Sequence, residues 1–133
     1  MKVLTLTEDK ELIQIVSAFA CEFEHQSFIY NKSRRPIDIV GFAYEKNPSL
    51  IIVDDDYVNP DAAVMISTLK KMKKNIEIIF ITSNSSIELG KEISPLGITY
   101  YAIKPLDKDD LDELLNSISK KRKTNLLTQT KKE

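Results

Sequence analysis

Acidic residues stand in two short runs, Glu8-Asp9 and Asp54-Asp55-Asp56, and each run follows an apolar stretch. Two other apolar stretches end in Thr82-Ser83 and Lys104-Pro105. Carboxylates gathered at one place repel each other and are costly unless a cation joins them. Oxygen donors with no histidine or cysteine beside them favour a hard divalent ion, Mg²⁺ rather than zinc or copper. Mg²⁺ keeps waters and binds phosphate oxygens, and a lysine ammonium and a threonine hydroxyl nearby would hold the remaining phosphoryl oxygens. Phosphoryl transfer needs mostly positioning and charge neutralisation, which this set of side chains supplies.

These residues can act together only if the chain brings them to one rim. Strand-like segments read at Val3–Thr7, Ser27–Asn31, Leu50–Asp54, Ile76–Thr82 and Thr99–Ile103. Leu50-Ile51-Ile52-Val53 and Ile78-Ile79-Phe80-Ile81 are apolar at every position, which suits strands covered on both faces. Helical periods lie between them: Leu12, Val16, Phe19 and Phe23; then Ala62, Met65, Ile66 and Leu69; then Leu111, Leu114, Leu115 and Ile118. Pro36–Asn47 and Ser86–Ser94 read as weaker helices, each with an internal glycine. Asn59-Pro60 offers a helix start, Ser85 with Glu88 a capping box, and Asp107 a cap for the last helix. Strand and helix alternate throughout, so a doubly wound α/β domain with right-handed crossovers is expected. In such sheets ligands bind beyond the carboxyl ends of the strands, where these polar residues fall.

The pattern resembles the receiver domain of two-component response regulators over residues 2–119. Pro48-Ser49-Leu50-Ile51-Ile52-Val53-Asp54 is similar to that family's third strand and its terminal aspartate. Thr82 falls at the Ser/Thr switch position, and Gly97-Ile98-Thr99-Tyr100-Tyr101-Ala102-Ile103-Lys104-Pro105 is similar to the last strand with its aromatic and Lys-Pro pair. The resemblance implies a five-stranded parallel sheet in the order 2-1-3-4-5 with helices on both faces. It implies that Asp54 is the phosphoacceptor, Thr82 and Tyr101 the switch, and Lys104 the partner of the phosphoryl group. Mg²⁺ would be held by Asp54, by the main-chain carbonyl of Asp56 and by an acid after the first strand. That acid is Glu8 if the strand-to-helix spacing is kept, or Asp9 after a shift of one residue. The phosphodonor implied is a histidine kinase or a phosphotransfer protein, and the protein is a phosphate acceptor rather than an enzyme. A homodimer through the last helical face is implied by the same resemblance.

The chain departs from that pattern at Thr7, where an acid is usual, at Val58 and Pro60, where proline usually comes earlier, and at Ala62, where glycine is usual. Thr7 and the acidic loop motivate an alternative, a pseudo-receiver that binds protein without being phosphorylated. Asp55 reads as a solvated loop residue, Thr7 as an N-cap and His25 as a surface connector. A flavin-binding α/β protein is disfavoured, because acids rather than a glycine- and hydroxyl-rich loop follow the first strand.

With 133 residues, 42% hydrophobic and 29% charged, the chain is expected to form one soluble domain. The net charge of −1 points to neither nucleic acid nor membrane. It is unevenly placed, since Lys120–Glu133 carries six basic groups and one acid, leaving −6 on the remainder. Residues 1–119 are thus expected as the domain and 120–133 as a basic tail or linker. Cys21, the single cysteine, is expected to be buried and inert. No leader pattern or membrane-length apolar run occurs, so a cytoplasmic place is expected.

Overall fold

The computed structural model describes residues 1–132, with side chains described as far as Arg122. Five strands, β1 (Lys2–Leu6), β2 (Gln26–Tyr30), β3 (Leu50–Asp54), β4 (Glu77–Thr82) and β5 (Tyr100–Ile103), form one parallel sheet in the order β2-β1-β3-β4-β5. The strand positions lie within one residue of those expected, and the order is the one the resemblance implies.

Side chains of successive strand residues point to opposite faces, so every strand feeds two cores. Leu4, Leu6, Ile51, Val53, Ile78 and Phe80 pack against α2 (Pro36–Lys46), α4 (Ala62–Met72) and α5 (Ile87–Ile93) through Ile39, Met65, Leu69 and Ile93. Val3, Leu50, Ile52, Ile79 and Ile81 pack against α1 (Lys10–Glu22) and α6 (Lys108–Lys132) through Leu12, Val16, Phe19, Leu115 and Ile118. All five residues of β3 are buried, as a central strand covered on both faces requires. Truncating one of them, as in Ile52→Ala, would cost about 2–5 kcal/mol.

Helix starts differ from expectation in two places. Directly after β3 the Asp54 carboxylate accepts the main-chain N–H of Asp56 and starts a short helix, α3 (Asp55–Val58). Asn59 therefore ends that helix, its N–H donating to the Asp55 carbonyl, instead of starting the next one, and α4 begins only at Ala62. In α5 the capping hydroxyl is Ser86, which accepts the Leu89 N–H, because Asn84 already holds the Ser86 N–H in a tight turn. Asp107 caps α6 as expected, accepting from the N–H groups of Asp109 and Asp110.

Two further expectations are corrected. Cys21 is exposed, because α1 turns Leu12, Ile15, Val16, Phe19 and Ala20 to the sheet and Cys21 points off that stripe. His25 is half-buried rather than a surface connector: its ring stacks on Phe19 at 5.2 Å, and its nitrogens lie 3.1 Å from the Met1 amine and 3.1 Å from Ser119 Oγ. The stretch from Lys120, expected as a tail, begins within α6, which continues to Lys132; Glu133 lies outside the described residues. Among the described residues no helix is long and apolar enough to cross a membrane.

Candidate functional site

Asp54 is the last residue of β3, the strand at the middle of the sheet, and its side chain is 2% exposed. A carboxylate so enclosed needs partners for both oxygens. Thr7 Oγ1, from the end of β1, donates to Oδ2 at 2.6 Å, and the Asp56 N–H donates to Oδ1 at 3.1 Å. Lys104, just past β5, places its ammonium 3.1 Å from Oδ1 and 3.2 Å from Oδ2. The backbone of Lys104 is fixed by its N–H donating to the Thr82 carbonyl at 2.8 Å.

The same ammonium lies 3.0 Å from Asp9 Oδ2 and 3.0 Å from Asp56 Oδ2. One lysine thus joins three carboxylates, leaving a formal charge of −2 at the rim. Burial works against the charged ammonium, but bonds to Asp56, Asp9 and Asp54 outweigh it and hold the Lys104 pKa well above its ordinary value. Burial likewise opposes ionisation of Asp9, and the Lys104 bond with the N–H groups of Leu12 and Glu11 overcomes it, so its pKa is lowered. In Asp56 burial is overcome by bonds from Ser83 and Lys104, again lowering the pKa. A shallow cavity of about 300 Å³ opens over this cluster, walled by Glu8, Arg34 and Tyr57.

Of the expected site residues, Asp54, Asp56 and Lys104 are brought together. Glu8 is not: it pairs with Arg34 in an exposed ion pair, and Asp9 takes the place beside Lys104. The local reason is the start of α1, where Asp9 is the N-cap, accepting from the Glu11 and Leu12 N–H groups, and is thereby turned over the strand ends. Thr82 is fully buried at the end of β4, and its hydroxyl donates to Asp55 Oδ2 at 2.8 Å rather than to Asp54. Tyr101 packs on Phe80 at 5.1 Å, and its hydroxyl is buried with no hydrogen-bond partner among the described residues.

Thr7 and Asp55 gain roles that their types alone did not indicate. Thr7 is a donor to the candidate acceptor as well as a helix-start residue, since its Oγ1 also accepts the Asp9 N–H at 2.9 Å. Asp55, expected in solvent, is 4% exposed. Burial and then the charges of Asp56 and Asp54 raise its pKa, while the Thr82 hydroxyl opposes the shift.

Among the described residues no three carboxyl groups are already set around one ion position; what Asp9, Asp54 and Asp56 share is the Lys104 ammonium. Their chemistry still fits Mg²⁺, being hard oxygen donors with an excess of negative charge.

No protein-family model matches the chain. A curated relative, the probable transcriptional regulator ycf29 of Guillardia theta, is 28% identical over 123 residues, which is 92% of this chain and 54% of the relative. The chain therefore spans about half the length of that relative. Among solved structures, a CheY-like response regulator receiver domain protein from Methanospirillum hungatei superposes with a TM-score of 0.77 at 14% identity, covering 93% of this chain and 97% of the other. The chemotaxis response regulator CheY4 of Vibrio cholerae gives 0.72 at 18% identity, covering 88% and 97%. The BeF3-activated DrrB receiver domain gives 0.74 at 15% identity, covering 90% and 97%. The chain has the receiver-domain fold of response regulators.

Proposed function

We infer that this chain is a phosphoaccepting regulatory domain whose acceptor is the Asp54 carboxylate. The observation that carries the reading is the position of Asp54, at the end of the central strand and bonded to the one ammonium that also joins Asp9 and Asp56. The donor is the phosphohistidine of a histidine kinase or of a phosphotransfer protein. An Asp54 carboxylate oxygen attacks phosphorus in line. A new O–P bond forms, the P–N bond to the donor imidazole breaks, and the imidazole keeps that electron pair.

Lys104 then has work at both stages. Before transfer it offsets the repulsion of the gathered carboxylates; afterwards its ammonium pairs with the phosphoryl oxygens. Asp54, Asp56 and an acid after β1 would hold Mg²⁺, and the observed contacts favour Asp9 over Glu8 as that acid. When bound, the ion supplies the positive charge that lets an anionic donor approach an acidic rim. Thr7 orients the acceptor by holding one of its oxygens.

The phosphorylated state differs from this one in the partner of Thr82. Its hydroxyl leaves Asp55 and bonds a phosphoryl oxygen, shifting the population of the surface around β4, β5 and the helices beside them. Tyr101 already has its hydroxyl buried without a hydrogen-bond partner among the described residues, so its part in the switch is to gain a partner for that hydroxyl rather than to bury it. Regulatory output follows from altered affinity of that surface for a partner, with the chain itself an acceptor rather than a turning-over catalyst.

The test is intact-mass measurement after incubation with acetyl phosphate and Mg²⁺. One phosphoryl adduct is expected, absent from Asp54→Ala. An unmodified mass under conditions that label an ordinary receiver domain would replace this reading with that of a phosphorylation-independent binding module.

A further inference from the structure

At the opposite rim, where β4 and β5 begin, a concave groove of about 720 Å³ is lined by Lys70, Lys73, Lys74, Lys121 and Arg122. The acid in its wall, Glu77, accepts a hydrogen bond from the Thr99 hydroxyl. Among the described residues none of these five cations belongs to an ion pair.

Two of the lysines are held in place by neutral oxygens. Lys70 Nζ donates to the Ile76 carbonyl at 3.1 Å. Lys73 Nζ donates to the Pro48 carbonyl at 3.1 Å and to Asn47 Oδ1 at 3.2 Å. Such bonds restrain the side chains without cancelling their charge, so ordering is already done before a ligand arrives. Burial first, then the charges of Arg122 and Lys2, lower the Lys73 pKa, the direction expected of a cation lacking a counter-charge. The groove wall is shaped for Lys70 as well. Gly97 has φ +82°, and a Cβ there would lie 3.2 Å from Lys70 Cε. Glycine permits both the left-handed turn and the passage of the lysine stem.

We propose that this groove binds a small molecule bearing a chain of phosphate groups. Its cations are four lysines, which bind phosphate oxygens as compact point charges, and one arginine, whose fork matches phosphate geometry, and five positive charges in one groove suit a ligand carrying several negative ones. Its size falls in the range of about 300–1,000 Å³ usual for small-ligand sites. No aromatic ring lines it among the described residues, so stacking of nucleic-acid bases has no platform there. The inference is independent of whether Asp54 accepts phosphate.

Titration calorimetry of the whole chain with inorganic tripolyphosphate, in magnesium-free buffer, tests it. Saturable one-to-one binding is expected, weakening as salt rises. The pair Lys121→Ala with Arg122→Ala should bind about tenfold more weakly, which is about 1.4 kcal/mol for the two cations together. Lys70→Gln, which keeps a donor for the Ile76 carbonyl, should also weaken binding with the fold intact by circular dichroism. Asp54→Ala should bind as the natural chain does. Absence of saturable heat, or loss of binding in Asp54→Ala, would overturn the proposal. So would equal binding of citrate, which would reduce the groove to unspecific charge attraction. Duplex DNA binding more tightly than tripolyphosphate at equal phosphate would make the ligand a nucleic acid instead.

Discussion

The two ends of the sheet treat like charge in opposite ways. At the carboxyl ends of the strands, Asp9, Asp54 and Asp56 converge and are joined by the Lys104 ammonium. At the amino ends, Lys70, Lys73, Lys74, Lys121 and Arg122 converge, and among the described residues none of them is in an ion pair with a carboxylate. The first rim is internally satisfied and can act only by exchange, a phosphoryl group or a metal ion taking over bonds that already exist. The second holds two of its five cations, Lys70 and Lys73, with neutral oxygens, and among the described residues it has no ion pair to give up when an anion binds. A near-neutral net charge of −1 thus conceals two poles.

Substitutions that touch one pole and leave the other alone sharpen this contrast. The largest effect is expected from Lys104→Met. Acetyl-phosphate labelling should slow about a hundredfold, as when one charged donor is removed from a developing anion. The same variant leaves the carboxylates unpaired and should lose about 1–3 kcal/mol in urea unfolding, with the lower end favoured because Asp9 and Asp56 are partly open to solvent. Unchanged labelling would mean that the ammonium only supports the fold. Next comes Thr7→Val, which strips a hydroxyl from the buried Asp54 and should cost about 1–3 kcal/mol by the same measurement. A neutral outcome there would show that the Thr7 bond is dispensable.

At the basic pole, Gly97→Ala should cost about 1–2 kcal/mol, because a left-handed turn is imposed on a residue with a Cβ. It should weaken tripolyphosphate binding while leaving labelling of Asp54 intact; an effect on both rims would show that they are not separate. The smallest effect concerns pH. Burial, and then the N-terminal amine, lower the His25 pKa from its ordinary 6.5. A depressed value in the folded state means that stability is complete above 6.5 and is lost as pH falls through the folded value. The unfolding temperature should therefore fall as pH is lowered below about 6.5, and the fall should shrink in His25→Gln. An equal fall in both proteins would place the sensitive group elsewhere.

The fold was readable because Leu50–Val53 of β3 and Ile78–Ile81 of β4 are apolar at every position, which few structures other than a twice-covered strand explain. Asp54 and Lys104 were readable for a related reason, as polar residues that end such strands. What lay beyond reading was side-chain direction past a strand end. Glu8 and Asp9 are equivalent as types; the N-cap geometry of α1 decides that Asp9 turns inward and Glu8 outward to Arg34. Asp55 was read as solvated because nothing local announced α3, a four-residue helix that carries it under the end of β4 to Thr82. The basic groove was illegible because its cations come from separate segments, the end of α4 with the loop after it and the middle of α6, and only the fold makes them neighbours.

Borohydride reduction of the acetyl-phosphate-treated protein, followed by peptide mapping, asks most directly which carboxylate carries the phosphoryl group. Reduction is expected at position 54 alone, although Asp9, Asp55 and Asp56 lie beside it. Reduction at any of those three, or at none of the four, would contradict the assignment of Asp54 as the acceptor.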